Sequence, residues 1–527
     1  MDNSPEQLDN EKAELEREQA KLEEQLVGVN RKLIEARRKL GQIHNSRISG
    51  SSVLPAEVLA IIFETLHQSQ NPKPIRKHAE ENITPRIRSA QQWGSPEHWK
   101  LPTTNVGHWA EVVLSHVCRK WRVIALQTPS LWGVFSTSQD AAWNAGIISE
   151  TKRLRAYLWR SGKHDLKLYF RFRRVAQPPT EADGTFWRLV KGLLNLALGH
   201  IERWKHFTLF APRQDSGVWD VALTLRRAMA RLRAPKLERL IVMLSPSTLA
   251  MGQLNIEGGG WDAQVLLGDG GQSLADPCPS LKHLKLDRVS LVGLRPPLRH
   301  ITELILDYGV TPIDANPSFL IDWSVLITEV LRLPNLEAFS LCDELMQLDT
   351  YPGEGAHWAE YGVDMPKLKH LRLTKLGNAL WDASQAYSSL HFLIRYITAP
   401  QLETLTLYGF NMLSAPWGLG PRDWLEPSYV FPSLHSLSLV EFRVMNHPRT
   451  CAVVRRTSNA RTLLLSYGSH PPRSFDSVIS MLLQDEPWTN GQVPVYELWP
   501  AAQDITFDFR IFPDPQGKLT WGGSDGG

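Results

Sequence analysis

The sequence predicts an α/β chain. An N-terminal coiled-coil helix leads into a small helical module, and an irregular solenoid of parallel strands with helices behind them follows. Three observations carry that expectation. Residues 6–44 repeat apolar side chains every seven positions, and two separated segments, 53–66 and 114–132, each carry one apolar helical face. Beyond residue 200 the phrase Pro-x-Leu-x-x-Leu-x-Leu recurs. At 527 residues the chain is too long for a single core, so two or three structural units are expected.

The N-terminal helix is expected over 5–45. Leu8, Leu15, Leu22, Val29, Ala36 and Ile43 occupy one seam position, and Leu26, Leu33 and Leu40 the complementary one. Lys12 and Gln19 interrupt the second seam early. Glu6 to Glu24 holds eight acids and three bases, net −5, and Arg31 to Lys39 five bases and one acid, net +4. Acid first and base last suits the helix dipole, and it would also let two copies pair antiparallel. Self-association is one reading; a helix packed back on its own chain, or a solvated lead-in, is the other. Arg31-Lys32 with Arg37-Arg38-Lys39 matches a nuclear import run as well as a solvated helical face.

The helical module is expected over 51–135. In its first half Leu59, Ile62, Phe63 and Leu66 fall at i, i+3, i+4 and i+7, with Pro55 at the helix start. In its second half Leu114, Val117, Cys118, Trp121 and Ala125 form the equivalent face, and Pro129 bars continuation. An insert, 68–112, separates the halves and reads as a loop anchored by Trp93, Trp99 and Trp109.

Leu54-Pro55-x-Glu57-Val58-Leu59-x-x-Ile62-Phe63 resembles the opening of an F-box, and Val117-Cys118-Arg119-x-Trp121-Arg122-x-x-Ala125 its closing helix. Thr128-Pro129-x-Leu131-Trp132 is similar to the ending common in fungal F-box-like proteins. The resemblance implies docking onto a Skp-type linker and, through it, a cullin–RING ubiquitin ligase. The linker-binding residues it implies are Leu54, Pro55, Glu57, Val58, Leu59, Ile62, Phe63, Val117, Cys118, Arg119, Trp121, Pro129, Leu131 and Trp132. The insert is longer than a compact F-box requires, and would weaken docking if it covered the binding face.

The solenoid is expected over 150–510, with a flexible tail over 511–527. Clear copies of the phrase begin at Pro235, Pro279, Pro334, Pro366, Pro400 and Pro432, at spacings of 44, 55, 32, 34 and 32 residues. Looser copies lie at Trp204/Phe207/Leu209, Ile301/Leu304/Leu306 and Ala502/Ile505/Phe507, and Leu166-x-Leu168-x-Phe170 reads as a first strand. Helical runs are expected at 186–200, 221–233, 319–333 and 386–398. Helix, proline, strand in recurrence resembles a leucine-rich repeat solenoid, although the spacing exceeds the usual ~20–29 residues. Long insertions are expected at 252–276 and 411–429.

In such a stack the alternate strand positions face a concave wall. That places His283, Lys285 and Asp287, then Ala338 and Ser340, on the target-binding face. His370, Arg372, Thr374, Thr404, Thr406, Tyr408, Ser436 and Ser438 continue it. The mixture of charge, hydroxyl and aromatic groups suits an unknown protein target. Arg171, Arg173 and Arg174 form a local basic patch, which could bind an acidic segment but also reads as solvated.

Composition argues against other classes. Hydrophobic content of 43% and charged content of 21% are ordinary, and a formal charge of +3 gives no field pointing to nucleic acid or membrane. The longest apolar runs fall well short of the ~18 residues a span needs. Four scattered cysteines make no disulfide framework, and a cytoplasmic or nuclear location is expected. GxxxxGK[ST], HExxH and GxSxG motifs are absent, so the chain is expected to be non-catalytic and to need no cofactor or metal. His116-x-Cys118 lacks further metal ligands. The nineteen tryptophans read as core more than as a sugar-binding face. A substrate receptor, or a repeat scaffold with a degenerate F-box and no ligase role, are the two functional classes that remain.

Overall fold

The computed structural model describes residues 5–47, 54–70, 110–137, 144–172, 183–211, 233–244, 278–287, 298–307, 330–342, 363–374, 397–408, 431–440, 456–467 and 499–509, with isolated positions between them. The chain is mixed α/β and divides into two compact units; among the described residues the first holds 5–70 and 110–131, and the second begins at Trp132.

The first unit is helical. Helix α1 runs unbroken from Pro5 to Arg47, and its described side chains are exposed along almost all its length. Helix α2 (Ala56–Gln70) starts one residue after Pro55, whose carbonyl accepts the first helical bond from Leu59 N at 3.2 Å. Helices α3 (Ala110–Val117) and α4 (Arg119–Gln127) follow. A 3-10 turn, Pro129–Trp132, ends the run where Pro129 cannot extend a helix.

The sequence predicted one helix through Cys118; the chain instead breaks there. Cys118 is extended (φ −154°, ψ 171°) and its sulfur accepts from Trp121 N at 3.5 Å, so it caps α4 rather than lining a core face. Helix α2 already includes residues 68–70 and α3 starts at 110, which trims both ends of the expected insert. Its tryptophans lie outside the described residues.

The second unit is built on a twelve-stranded, wholly parallel sheet laid down in chain order. Its strands are β1 (Val134–Ser136), β2 (Leu166–Arg171), β3 (Trp204–Phe210), β4 (Arg239–Met243), β5 (His283–Asp287), β6 (Glu303–Asp307), β7 (Ala338–Cys342), β9 (His370–Thr374), β11 (Thr404–Tyr408), β12 (Ser436–Val440), β13 (Thr462–Tyr467) and β14 (Asp504–Phe509). The pair β8 (Val363–Asp364) and β10 (Ile397–Thr398) forms a separate parallel ladder between repeats. Helices α5 (Asn144–Arg160) and α6 (Asp183–Leu198) cross over between the first strands. Of the helices expected at 221–233, 319–333 and 386–398 only scattered positions are described, and Ile397–Thr398, expected to end the last of them, instead form strand β10; the two long insertions and the tail lie outside the described residues.

The recurring phrase has a direct structural meaning. Its proline is the second residue of a tight turn: Leu237 N donates to Ala234 O at 3.1 Å across Pro235, and Leu402 N to Ala399 O at 3.1 Å across Pro400. Proline's fixed φ suits that position, and its missing N–H is not needed there. The chain then enters the strand, where one carbonyl of the preceding repeat accepts two successive amides. Glu337 O, for example, receives Lys369 N at 2.8 Å and His370 N at 3.0 Å. The leucines behind stack in register, Leu284 on Leu304 on Phe339 on Leu371 on Leu405 on Leu437, all buried. Each such side chain contributes about 1.5–3 kcal/mol of burial, and since one repeat has only one edge of a core, the stack forms together.

The first strands are aromatic. Trp204 stacks on Phe207 at 4.3 Å, Phe170 packs on Phe135 and Phe207, and Arg153 lies 4.3 Å over the Phe135 ring. Trp132 meets Tyr157 edge-on at 5.1 Å and lies under Arg160, so it belongs to this second unit's core.

Candidate functional site

Two surfaces carry the residues singled out from the sequence. On the first, the helical module of α2–α4, Leu59 and Phe63 are fully buried, and the ring of Phe63 lies 4.9 Å from Trp121. Leu114, Ile124 and Ala125 complete that small core. The buried face of α2 is Leu59, Phe63 and His67, at i, i+4 and i+8, which is rotated from the expected face. Ile62 and Leu66, predicted inside, are exposed.

Polar bonds tie the module's ends together. Lys120 Nζ donates to Leu54 O at 2.9 Å, joining α4 to the turn before α2. Ser130 donates to Glu64, and Arg122 Nε donates to Ser115 O at 2.9 Å, bridging the break at Cys118. Thr128 Oγ1 returns to Ile124 O at 2.8 Å and closes α4.

Each helix nonetheless keeps apolar groups in water: Val58, Ile61, Ile62 and Leu66 on α2, Val113 and Val117 on α3, Val123 and Leu126 on α4. On α2 the spacing 58, 61, 62, 66 is itself a helical stripe, bordering the buried one on the helix surface. Pro55, Glu57 and Arg119 are exposed and Leu54, Pro129 and Cys118 half-buried, whereas Leu131 and Trp132 are core. The residues assigned to linker docking thus divide into an outward set, a set that shapes the module from within, and Trp132, which packs in the second unit and not in the module.

The second surface is the sheet face opposite the stacked leucines. His283, Lys285, His370, Thr404 and Thr406 are half-exposed there and Arg372 exposed, as the alternation predicts. Asp287, Thr374 and Tyr408 are not on it: they are buried, as is Ser438. The fifth position of most strands turns inward where the chain leaves the sheet. Asp287 has a structural task, its carboxylate accepting from Leu244 N and from Ser290 N (2.8 Å), which holds the exits of β4 and β5 together.

Across the first strands the same face carries a row that the sequence reading missed. Lys167, His206, Arg239 and His283 are successive register partners on β2, β3, β4 and β5. The row ends at Glu303, whose carboxylate lies 2.5 Å from His283 Nδ1. Flanking it, Lys205 pairs with Glu238 at 3.4 Å and Lys285 with Asp307 at 3.1 Å. Burial, then the neighbouring Arg239, Lys167, Lys205 and His283, push His206 down to about 3, so it is neutral at physiological pH. Burial and then Lys205 also lower Lys167, against an opposing pull from Glu238. Burial pushes the Tyr169 hydroxyl, one row along, up to about 12.

The signal for this row was present. Aligning Trp204/Phe207 with Leu237/Leu240 puts His206 and Arg239 at the position of His283, but only the clearer later copies were read for surface residues. Of the Arg171, Arg173 and Arg174 patch only Arg171 is described, lying 5.9 Å from the Phe210 ring centre.

Chemically the row crowds the cations Lys167 and Arg239 beside the neutral imidazole of His206, an arrangement that accepts anionic side chains. Among the described residues no three His, Cys, Asp or Glu side chains gather as metal ligands, and no helix is long and apolar enough to cross a membrane. The comparisons with family models and with curated proteins each return no match.

Proposed function

We propose that this chain is a non-catalytic substrate-recognition subunit of an SCF-type cullin–RING ubiquitin ligase. The α2–α4 module acts as an F-box that docks a Skp-type linker. The repeat unit acts as a leucine-rich-repeat receptor that holds a target protein on its outward strand positions. The observation that carries the reading is the doubled character of α2. One stripe closes a core on Trp121, while the other leaves Val58, Ile61, Ile62 and Leu66 in water, and Val113, Val117 and Val123 of α3 and α4 are exposed as well. A free-standing three-helix bundle has no need of that second stripe.

On the repeat unit, His283, Lys285, His370, Arg372, Thr404 and Thr406 supply polar contacts. The row from Lys167 to His283 favours a target segment that is acidic there. No side chain of this chain performs chemistry in such a mechanism. Holding a target near a charged ubiquitin-carrier enzyme raises the effective concentration of its lysines.

The test is reconstitution. Purified chain, Skp-type linker, cullin–RING core and a partner trapped by a photo-crosslinker at Arg372 are combined with the ubiquitin cascade. Linker-dependent ubiquitination of the trapped partner supports the reading. A trapped partner that stays unmodified, with the chain unable to join the cullin, leaves a repeat scaffold with a degenerate F-box.

A further inference from the structure

Helix α1 holds 43 residues, about 64 Å of rod at ~1.5 Å per residue, and the seam residues Leu15, Leu22, Leu26, Val29, Leu33 and Leu40 are exposed. Leu26 is 64% exposed, Leu33 46% and Leu40 71%, and Leu15, Leu22 and Leu26 line a shallow apolar groove flanked by Glu18, Gln19 and Glu23. In heptad terms Leu26, Leu33 and Leu40 are a positions, preceded there by Lys12 and Gln19. Leu15, Leu22, Val29, Ala36 and Ile43 are d positions. Seven-residue apolar seams of this length stay in water only at a cost, so a second helix is the expected cover.

We propose that α1 pairs with α1 of a second copy of this chain, antiparallel, with Leu26 opposite Leu22. In that register Leu33 faces Leu15 across the seam. The two polar a positions meet the smaller d residues: Gln19 faces Val29 and Lys12 faces Ala36. Small partners leave the long polar side chains room to reach water. At the flanking g positions Glu18 of each copy faces Lys32 of the other, and Gln25 faces Gln25.

The parallel alternative is disfavoured at the same residues. It would stack Lys12 on Lys12 inside the seam, and set Glu18 against Glu23 and Lys32 against Arg37 at its flanks. The acidic first half and basic second half of α1 make the helix complementary to its own reverse. The pairing does not depend on the ligase reading. Its consequence is geometric: the C-terminal ends of the two helices lie at opposite ends of one rod, roughly 70 Å apart.

Sedimentation of the full chain, with site-directed trapping, tests this. The expected mass is twice 59.7 kDa. Glu18→Cys chains mixed with Lys32→Cys chains form a disulfide-linked mixed dimer above the background of the unsubstituted protein, and Gln19→Cys chains alone do not. Glu18→Lys and Lys32→Glu each weaken self-association by about ten-fold, and mixing the two variants restores it, which a merely unfolded helix would not do. A monomer by sedimentation, cross-linking through Gln19→Cys, or no rescue on mixing would each overturn the proposal.

Discussion

Helix α2 places two adjacent residues in opposite environments, and truncating each to alanine separates the observed orientation from the one periodicity alone suggests. Phe63 is 0% exposed with its ring 4.9 Å from Trp121, whereas Ile62 is 45% exposed. Phe63→Ala removes a fully buried aromatic side chain from a core of only three short helices, which costs about 3–5 kcal/mol. Some ~0.5–1.5 kcal/mol of that belongs to the ring pair, and a double-mutant cycle with Trp121→Ala isolates it. Ile62→Ala removes a side chain already half in water and costs under ~1 kcal/mol. The assay is hydrogen exchange of the α2–α4 amides in the full chain, because whole-chain unfolding would be dominated by the larger repeat unit. Phe63→Ala is expected to bring these amides close to unprotected exchange, with Ile62→Ala near wild type. Equal protection loss in both variants, or the reverse order, would refute the assigned face of α2.

Three further outcomes follow from the repeat unit. Asp287→Ala leaves the buried amides of Leu244 and Ser290 without their acceptor and should cost about 2–4 kcal/mol, read by denaturant titration; an unchanged midpoint would show that the carboxylate is not holding the strand exits. His206 binds its proton far more weakly folded, at about 3, than unfolded, at about 6.5, so the unfolded chain takes up the proton first as pH falls. The stability it confers is complete above pH ~6.5 and is lost progressively toward pH ~3; His206→Gln should flatten the thermal midpoint across that window, and an unaltered slope would contradict the burial assigned to the imidazole. Leu405→Ala, in the middle of the leucine stack, should cost about 2–5 kcal/mol in equilibrium unfolding, and a loss below ~1 kcal/mol would mean that the stack tolerates the cavity by collapsing.

The strands were the most legible part of this chain. A proline that presets a turn, followed by leucines at fixed offsets, encodes a local backbone path and a buried face together, and every clear copy marks a strand. Strand β13 escaped notice because Ser458 and Ala460 replace the proline and the leading leucine, although Leu463 and Leu465 still continue the stack. The fifth strand positions were misjudged for a different reason. Alternation assumes that the strand continues straight, whereas the chain turns inward at Asp287, Thr374 and Tyr408. In the helical module, periodicity located the helices but not their rotation or the break at Cys118. Apolar residues on both faces of α2 fit either orientation, and only packing against Trp121 chooses between them. The basic row from Lys167 to His283 required lateral register between repeats, which single-strand patterns do not display.

The claim on which the functional account turns is that the outward stripe of α2–α4 is a docking face. Binding of the full chain to a purified Skp-type linker measures it directly, comparing Ile62→Asp and Val117→Asp with Val27→Asp on α1, an exposed control outside the heptad seam. The account predicts tight binding by the unsubstituted chain and the control, and a loss of about ten-fold or more for each substitution in the stripe, with all the proteins equally folded. No binding by the unsubstituted chain, or equal binding by every variant, would contradict it.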